Sequence, residues 1–278
     1  MPRVRLVLAL ILSSWLFIPV GAQQPPPYRI LISNDDGVRA PGIAAVAQIL
    51  QAIGQVIIVA PAENQSGKGH SIVTTEPILR EDLTLSNGLK AIGLTATPAT
   101  TVNVAIRNIV QPLPDLVVSG INRGYNLGYT AYLSGTVGAA REAAMHGVPA
   151  IAASLQEDGA NRNFGNAAEE VLGVARRVKQ YGLARNTFLN VNIPAMPTGG
   201  YRGYRITTQA LQRSGEERFA ETPHPSGRTV YWNVYREGAT APEGTDIHAV
   251  NEGYVSVTPM KLGETDASQF EALRAIFK

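Results

Sequence analysis

The chain has 278 residues, of which 45% are hydrophobic, so it is long enough to bury a sizeable core. It contains no cysteine, which excludes disulfides, a thiolate nucleophile and a cysteine-ligated metal. Its 24 basic and 22 acidic residues give a formal net charge of +2, so nothing in the overall charge favours binding to nucleic acid polymers or anionic membranes.

The first 22 residues have the layout of a secretory signal peptide. Arg3 and Arg5 precede an apolar run over residues 6–20, and the small residues of "VGA" follow. The run is shorter than the ~20 residues of a membrane-spanning helix. We therefore predict cleavage near Ala22, release to the periplasm or the outside of the cell, and no membrane contact of the mature chain. Because Arg3 and Arg5 account for the whole excess of positive charge, the mature chain is close to neutral.

Beyond a proline-rich stretch at 23–27, which we interpret as a disordered linker, strand-like and helix-like segments alternate up to residue 197. Continuous apolar strands between helices favour a mostly parallel sheet with helices on both faces, a doubly wound α/β fold. We predict strands at 28–33, 55–61, 114–122, 148–155 and 188–194, and helices at 41–53, 101–110, 134–147 and 167–181.

The pattern changes after Pro197, where glycines interrupt the chain and polar and apolar residues begin to alternate. Alternation of this kind is typical of strands with one exposed face. We predict strands in "YRGYRITTQ", "TVYWNVYRE" and "GYVSVTPM" and a helix near 265–277. The chain is thus divided into an α/β core at 28–197 and a β-rich extension at 198–278.

Two adjacent carboxylates, Asp35 and Asp36, follow the first predicted strand. In a doubly wound sheet, ligands bind at the carboxyl ends of the strands. A turn or a helix cap would explain one such acid, whereas the second adds repulsion. Two carboxylates with neutral oxygens, here from Ser66 and Asn122, form a site that Mg²⁺ or Mn²⁺ prefers. The sequence leaves open both a turn and a divalent-metal site.

The segment "SGT", residues 134–136, opens the third predicted helix. Ser134 or Thr136 can serve as an ordinary N-cap. Alternatively, Gly135 allows close approach of the backbone, and the two hydroxyls and the helix amides form a cradle for a phosphate group. The loop "GINRGYNLG" (120–128) is similarly compatible with a plain surface loop or with one that wraps a metal and a phosphoryl group.

Other catalytic patterns are absent from the sequence. No Gly-x-Ser-x-Gly elbow, Walker A motif or Gly-x-Gly-x-x-Gly after the first strand occurs. His70 is interpreted as a loop or packing residue, with a proton donor as the alternative. His146, near the end of a predicted helix, is interpreted as a capping residue.

Five segments, in this order, resemble the survival protein SurE family of nucleotidases. They are "ILISNDDGVRAPGI" (30–43), "APAENQSGKGHSI" (60–72), "VVSGINRGYNLG" (117–128), "LSGTVGAAREAAMHGVPAIAAS" (133–154) and "EGTDIHAVNEGYVSVTPM" (243–260).

This resemblance implies a Rossmann-like core and a metal-dependent phosphatase that acts on nucleoside 5′-monophosphates, and also on 3′-monophosphates. It implies one divalent ion per subunit, Mg²⁺ or Mn²⁺, and a homodimer or homotetramer in which C-terminal segments are exchanged. The implied metal ligands are Asp35, Asp36, Ser66 and Asn122, with Asp35 and Asp36 also catalytic. The implied phosphate-binding residues are Asn34, Asn126, Ser134, Gly135 and Thr136.

The chain departs from the family pattern at four positions. Thr100 stands where the family often has an acid, which is expected to change a hydrogen bond that supports the site. Leu133 replaces a frequent tyrosine before Ser134, and Tyr129 and Thr130 stand where acids are frequent. These changes concern substrate preference, since the implied metal and phosphate positions are intact.

The sequence therefore predicts hydrolysis of phosphomonoesters by a metal-bound water. A rival mechanism makes Asp35 a covalent phosphoaspartyl nucleophile. A rival of another class is an exported protein that binds nucleotides or phosphate without turnover.

Overall fold

A computed structural model of the chain describes residues 26–156, 163–211, 216–236 and 240–277. The predicted signal peptide and most of the predicted linker lie outside these residues. The strands are β1 (Arg29–Ser33), β2 (Gln55–Pro61), β3 (Arg80–Thr84), β4 (Lys90–Leu94), β5 (Leu116–Arg123), β6 (Ala150–Leu155), β7 (Thr187–Ile193), β8 (Tyr204–Ile206), β9 (Glu216–Pro223), β10 (Thr229–Arg236) and β11 (Val255–Lys261). The helices are α1 (Pro41–Leu50), α2 (Pro98–Val104), α3 (Thr130–Leu133), α4 (Gly135–Met145), α5 (Phe164–Tyr181), α6 (Asp246–Asn251) and α7 (Phe270–Ile276).

Nine strands form one sheet in the order β3-β4-β2-β1-β5-β6-β7-β11-β8. The six strands from β4 to β7 in this order are parallel to their neighbours, whereas β3 and β11 run antiparallel to β4 and β7. The predicted α/β fold with a mostly parallel sheet is confirmed.

The apolar run of β1 is explained by burial on both faces of the sheet. Ile30 and Ile32 belong to the hydrophobic cluster under α1 and α5, whereas Leu31 belongs to the cluster under α2 and α4. Successive residues of a strand point to opposite faces, so a strand covered on both sides must be apolar at every position. The polar residues that follow it are therefore placed at the edge of the sheet.

The chain reverses its direction of winding at β1. It proceeds from β1 to β2 on one side and later returns to β5 on the other side. A crevice forms at the carboxyl ends of two strands where the winding reverses, and ligands of doubly wound proteins bind there. The loops after β1, β2 and β5 meet at this position.

Several elements differ from those predicted. The helix predicted at 41–53 ends at Leu50, and the one predicted at 101–110 begins at Pro98 and continues into a π-helical turn, Ala105–Ile109. Proline favours the first turn of a helix because its missing N–H has no helical partner there. The β3–β4 hairpin was not predicted, because the polar sequence of the edge strand β3 lacks a buried face.

Two strands of the predicted C-terminal extension join the sheet of the α/β core. β11 pairs with β7, and β8 pairs with β11. The remaining pair, β9 and β10, forms a separate two-stranded hairpin. The sheet therefore contains strands from both sides of the predicted boundary at residue 197. The division of the chain into domains stays a prediction. Among the helices that the structure describes, none combines the length and apolar character needed to cross a membrane.

Candidate active site

The paired acids lie directly after β1 at the carboxyl edge of the sheet. Asp35 is 2% exposed, and Asp36 is half-buried. The backbone oxygen of Asp35 accepts a hydrogen bond of 2.7 Å from the backbone N–H of Gln65. This bond joins the loop after β1 to the loop after β2, which carries Ser66.

The start of α4 lies against Asp35. The hydroxyl of Thr136 donates to Oδ1 of Asp35 over 2.5 Å. A Cβ atom added to Gly135 would lie 2.8 Å from Cβ of Asp35, so a glycine is required for this approach. The hydroxyl of Ser134 accepts from the backbone N–H of Val137 and so caps α4. The "SGT" segment is therefore both a helix cap and a neighbour of the first acid.

The loop after β5 holds Asp36. The backbone N–H of Arg123 donates to Oδ2 of Asp36 over 3.0 Å. The adjacent Asn122 is buried, and its Nδ2 donates to the backbone oxygen of Gly124. Because the nitrogen of this amide is directed to the loop, its oxygen Oδ1 is the atom suited to a cation.

The other predicted ligands are placed differently. Ser66 is exposed, and its backbone N–H donates to the side chain of Asn64. The Nδ2 of Asn34 donates to the backbone oxygen of Gly37. The Nδ2 of Asn126 donates to the hydroxyl of Ser154, so this amide holds its own loop. The roles predicted for these residues in metal and phosphate binding stay predictions.

The pKa of Asp35 is raised to about 6, mainly by burial and also by the charge of Asp36, against hydrogen bonds from Thr136 that lower it. The ionised pair is therefore costly in the absence of a compensating cation. Within the described residues, Oδ1 of Asn34 is buried without a hydrogen-bond partner.

The residues present fit a hard divalent ion. The described part of the chain contains no group of three or more acidic or histidine side chains arranged around one point. Two carboxylates with amide and hydroxyl oxygens are a donor set that suits Mg²⁺ or Mn²⁺, since these ions prefer oxygen ligands.

Comparison with known proteins identifies relatives over most of the chain. The family model described as "Survival protein SurE" matches residues 30–216. The chain is 44% identical over 246 residues to the 5′-nucleotidase SurE of Syntrophotalea carbinolica, covering 88% of this chain and 95% of that protein. It is 38% identical over 258 residues to the 5′-nucleotidase SurE of Archaeoglobus fulgidus, covering 90% and 97%. The chain belongs to the SurE family.

A solved structure shows the same fold in this family. The SurE protein from Aquifex aeolicus superposes with a TM-score of 0.78 at 37% sequence identity, covering 90% of this chain and 100% of that one. The relatives' names agree with the predicted class of enzyme, a nucleotidase.

A buried carboxylate, Glu142 on α4, was missed by the sequence analysis. Its Oε2 lies 2.7 Å from Nε2 of His70, and its Oε1 accepts from Nδ2 of Asn103 over 2.6 Å. His146, the C-cap of α4 as predicted, lies 3.2 Å from the same Oε1. Burial raises the pKa of Glu142, but the hydrogen bonds from His70 and Asn103 outweigh burial, so the pKa lies below its ordinary value.

Glu142 connects the Ser66 loop to the helix that carries the "SGT" segment. His70 lies at the end of this loop, and the backbone N–H of Gly69 donates to the backbone oxygen of Leu133, next to Ser134. The interpretation of His70 as a packing residue agrees with this contact. The spacing of Glu142 and His146 indicates that they are neighbours on one face of a helix. It does not indicate the contacts of Glu142 with His70 and Asn103.

Thr100 retains a supporting hydrogen bond at the position where SurE proteins often have an acid. Its hydroxyl oxygen accepts from the backbone N–H of Val73 over 2.8 Å and lies 3.0 Å from the hydroxyl oxygen of Thr97. The hydroxyl of Thr97 donates to the backbone oxygen of Ser71 over 2.6 Å. The two threonines thus attach residues 71–73 to the start of α2 with uncharged side chains.

Asp246, also missed, fixes the far end of the loop that follows β5. Its fully buried carboxylate accepts from the backbone N–H groups of Gly128 (2.8 Å) and Ala210 (3.0 Å). Asn192 accepts from the backbone N–H of Asn126 in the same loop. The glycine-rich loop is therefore held by the fold on both sides of Leu127 and is not a freely moving surface loop.

Proposed function

We propose that this chain is a divalent-metal-dependent phosphomonoesterase that hydrolyses nucleoside 5′-monophosphates, and also 3′-monophosphates, to nucleoside and phosphate. The observation that carries this proposal is the contact of Asp35 with Thr136 and Gly135. It places a carboxylate pair suited to a cation beside a helix start suited to a phosphate. Neighbouring sites for a cation and for a phosphate are what hydrolysis of a phosphomonoester needs.

The proposed ligands of one Mg²⁺ or Mn²⁺ ion are the carboxylates of Asp35 and Asp36, the amide oxygen of Asn122 and the hydroxyl of Ser66. When bound, the ion would neutralise negative charge on a phosphate oxygen and would lower the pKa of a bound water molecule. The backbone contacts of Gln65 and Arg123 hold the two acids and their loops in place before substrate arrives.

The backbone N–H groups at the start of α4, including that of Thr136, and the hydroxyl of Ser134 hold the remaining phosphate oxygens, since the hydroxyl hydrogen of Thr136 is donated to Asp35. Donors fixed in advance stabilise the charge that develops in the transition state. Asp35, which lies against the start of α4, accepts a proton from the attacking water. The water oxygen forms its bond to phosphorus as the bond between phosphorus and the sugar oxygen breaks, and the departing sugar oxygen takes a proton from the solvent to give the nucleoside.

Phosphate release from 5′-AMP, 3′-AMP, 5′-GMP and an aryl phosphate tests this proposal. We expect turnover with Mg²⁺ or Mn²⁺ and its loss in EDTA, restored by excess metal. Activity unaffected by EDTA would contradict the metal, and binding of nucleotides without turnover would favour an exported binding protein. A trapped phosphoenzyme would favour the phosphoaspartyl route, because direct attack of water forms no covalent intermediate.

The export of this enzyme remains part of the proposal, because it rests on residues 1–22. A protein released from the cytoplasm with this activity would scavenge nucleotides outside the cell membrane. Comparison of the mature N-terminus with the predicted cleavage near Ala22 tests this location.

Assembly into a homodimer or homotetramer is supported by the separate hairpin of β9 and β10. An isolated two-stranded hairpin is marginally stable in water, and this one exposes 64% of Phe219 and 62% of Trp232. α7 likewise exposes Ile276 and Phe277. Covering these surfaces by a second copy would give the exchange of C-terminal segments that the family resemblance implies.

We expect Trp232→Glu to reduce the molar mass measured by light scattering, because a buried charge without a partner destabilises an interface. Tyr181→Glu is a matched control, since Tyr181 is also exposed but lies at the end of α5. A wild-type protein that is already monomeric, or a variant of unchanged mass, would contradict this assembly.

A further inference from the structure

A cavity of about 420 Å³ opens beside Asp36. Its volume is within the range of roughly 300–1,000 Å³ that is typical of small-molecule sites. The cavity is formed by the loops after β1, β2 and β5 and by the starts of α1 and α5. Its lining residues are Asp36, Gly37, Arg39, Ala40, Pro41, Ala62, Glu63, Asn64, Arg123 and Phe164.

The cavity lies on the other side of the sheet edge from the proposed phosphate site. α1 and α5, whose first residues line the cavity, pack over one face of the sheet, whereas α4 packs over the opposite face. Asp36 lines the cavity, and its neighbour Asp35 contacts the start of α4. A substrate with its phosphate at α4 would thus extend past the paired acids into this cavity.

The cavity is lined by charges of both signs, the cations Arg39 and Arg123 and the anions Asp36 and Glu63. Asp36 is assigned to the metal ion, and Arg39 is engaged by the carboxylate of Glu81 at 2.9 and 3.2 Å. The lining therefore offers both donors and acceptors to a neutral polar ligand.

Different segments of the chain supply the polar and the apolar side chains that line the cavity. Glu63 and Asn64 come from the loop after β2 and expose a carboxylate and an amide. Pro41 supplies exposed apolar surface at the start of α1, whereas Phe164 is only 9% exposed, and Arg123 supplies a planar guanidinium, which stacks on aromatic faces. Carboxylates accept hydrogen bonds from sugar hydroxyls, and a nucleobase has a flat aromatic face.

We infer that this cavity binds the nucleoside part of the substrate, with the ribose hydroxyls at Glu63 and the base at Arg123 and Pro41. This inference rests on the proposed function, because it takes the phosphate site from it. It assigns to Glu63 the recognition of the sugar, and it predicts that the 2′-hydroxyl contributes to affinity.

Binding of the nucleosides themselves tests the cavity without any turnover. Calorimetric titration of the full-length mature protein with adenosine is expected to give a Kd that rises about tenfold in Glu63→Ala, because a hydrogen bond to a charged group is lost. The same variant should bind 2′-deoxyadenosine with a smaller change. Arg123→Ala should weaken both nucleosides alike, since its side chain is assigned to the base.

Matched controls on the exposed surface of α5 are Glu169→Ala and Arg176→Ala, which should bind adenosine like the wild type. The ratio of kcat/KM for AMP to that for 2′-deoxy-AMP should fall in Glu63→Ala. A wild type that does not bind adenosine, or a Glu63→Ala variant with unchanged Kd and unchanged ratio, overturns the inference. Adenosine binding that depends on Glu63 in a protein without turnover would support the cavity and contradict the proposed hydrolysis.

Discussion

Asp35→Asn is expected to lower kcat/KM for 5′-AMP by roughly 10²–10⁴-fold, the range found when a general base is removed, and to raise the thermal stability of the metal-free protein at neutral pH. The first effect follows from the loss of a proposed metal ligand and proton acceptor. The second follows from the burial of Asp35, which makes its ionised form costly in the folded state.

The sign of the pH dependence follows from the raised pKa of Asp35. Its pKa moves from 3.8 to about 6 on folding, so the folded state binds more protons than the unfolded state between these values. Stability is therefore unaffected below about pH 4, falls as the pH rises from about 4 to 6, and stays reduced above. The full cost is about 3 kcal/mol.

Thermal unfolding in EDTA measures this effect. Asp35→Asn should unfold roughly 6–12 °C above the wild type at pH 8 and at nearly the same temperature at pH 4. Glu264→Gln, at an exposed position near the C-terminus, is the control and should follow the wild type at both values. A variant that is less stable than the wild type at pH 8, or one with wild-type turnover, would contradict the assigned role of Asp35.

Glu142→Ala is expected to destabilise the protein by about 1–3 kcal/mol, the cost of leaving buried polar groups without their hydrogen-bond acceptor. The substitution leaves the side chains of His70 and Asn103 without their acceptor. It also releases the loop that carries Ser66 from α4, so kcat/KM should fall although Glu142 does not contact the substrate site.

Trypsin cleavage after Lys68 distinguishes loss of the loop contact from global unfolding. Lys68 is exposed in the same loop, between Ser66 and His70. Below the unfolding transition, Glu142→Ala should be cut at Lys68 faster than the wild type, whereas cutting at Lys90 on β4 should change little. Glu142→Gln retains an oxygen acceptor for Asn103 and is expected to be intermediate. Wild-type stability and cleavage in Glu142→Ala would show that this carboxylate does not hold the loop.

Strand and helix types were predictable where burial imposes a pattern on the sequence. β1 and β2 are apolar because helices cover both faces of the sheet, and the predicted bounds of β2 are those observed. The edge strand β3 has no buried face, so its polar sequence carries no comparable signal. β11 was predicted as a strand, but its place beside β7 depends on pairing with a distant segment.

The composition and order of residues in this chain by themselves determined the α/β class, the SurE family and the position of Asp35 and Asp36 at a strand end. These properties are local, since periodicity, caps and motifs are written within short segments. The tertiary structure decided which distant groups meet: Thr136 with Asp35, Glu142 with His70 and Asn103, and Asp246 with Gly128. Burial of a polar group requires partners wherever the fold supplies them, and their sequence separation leaves no local pattern from which to predict them.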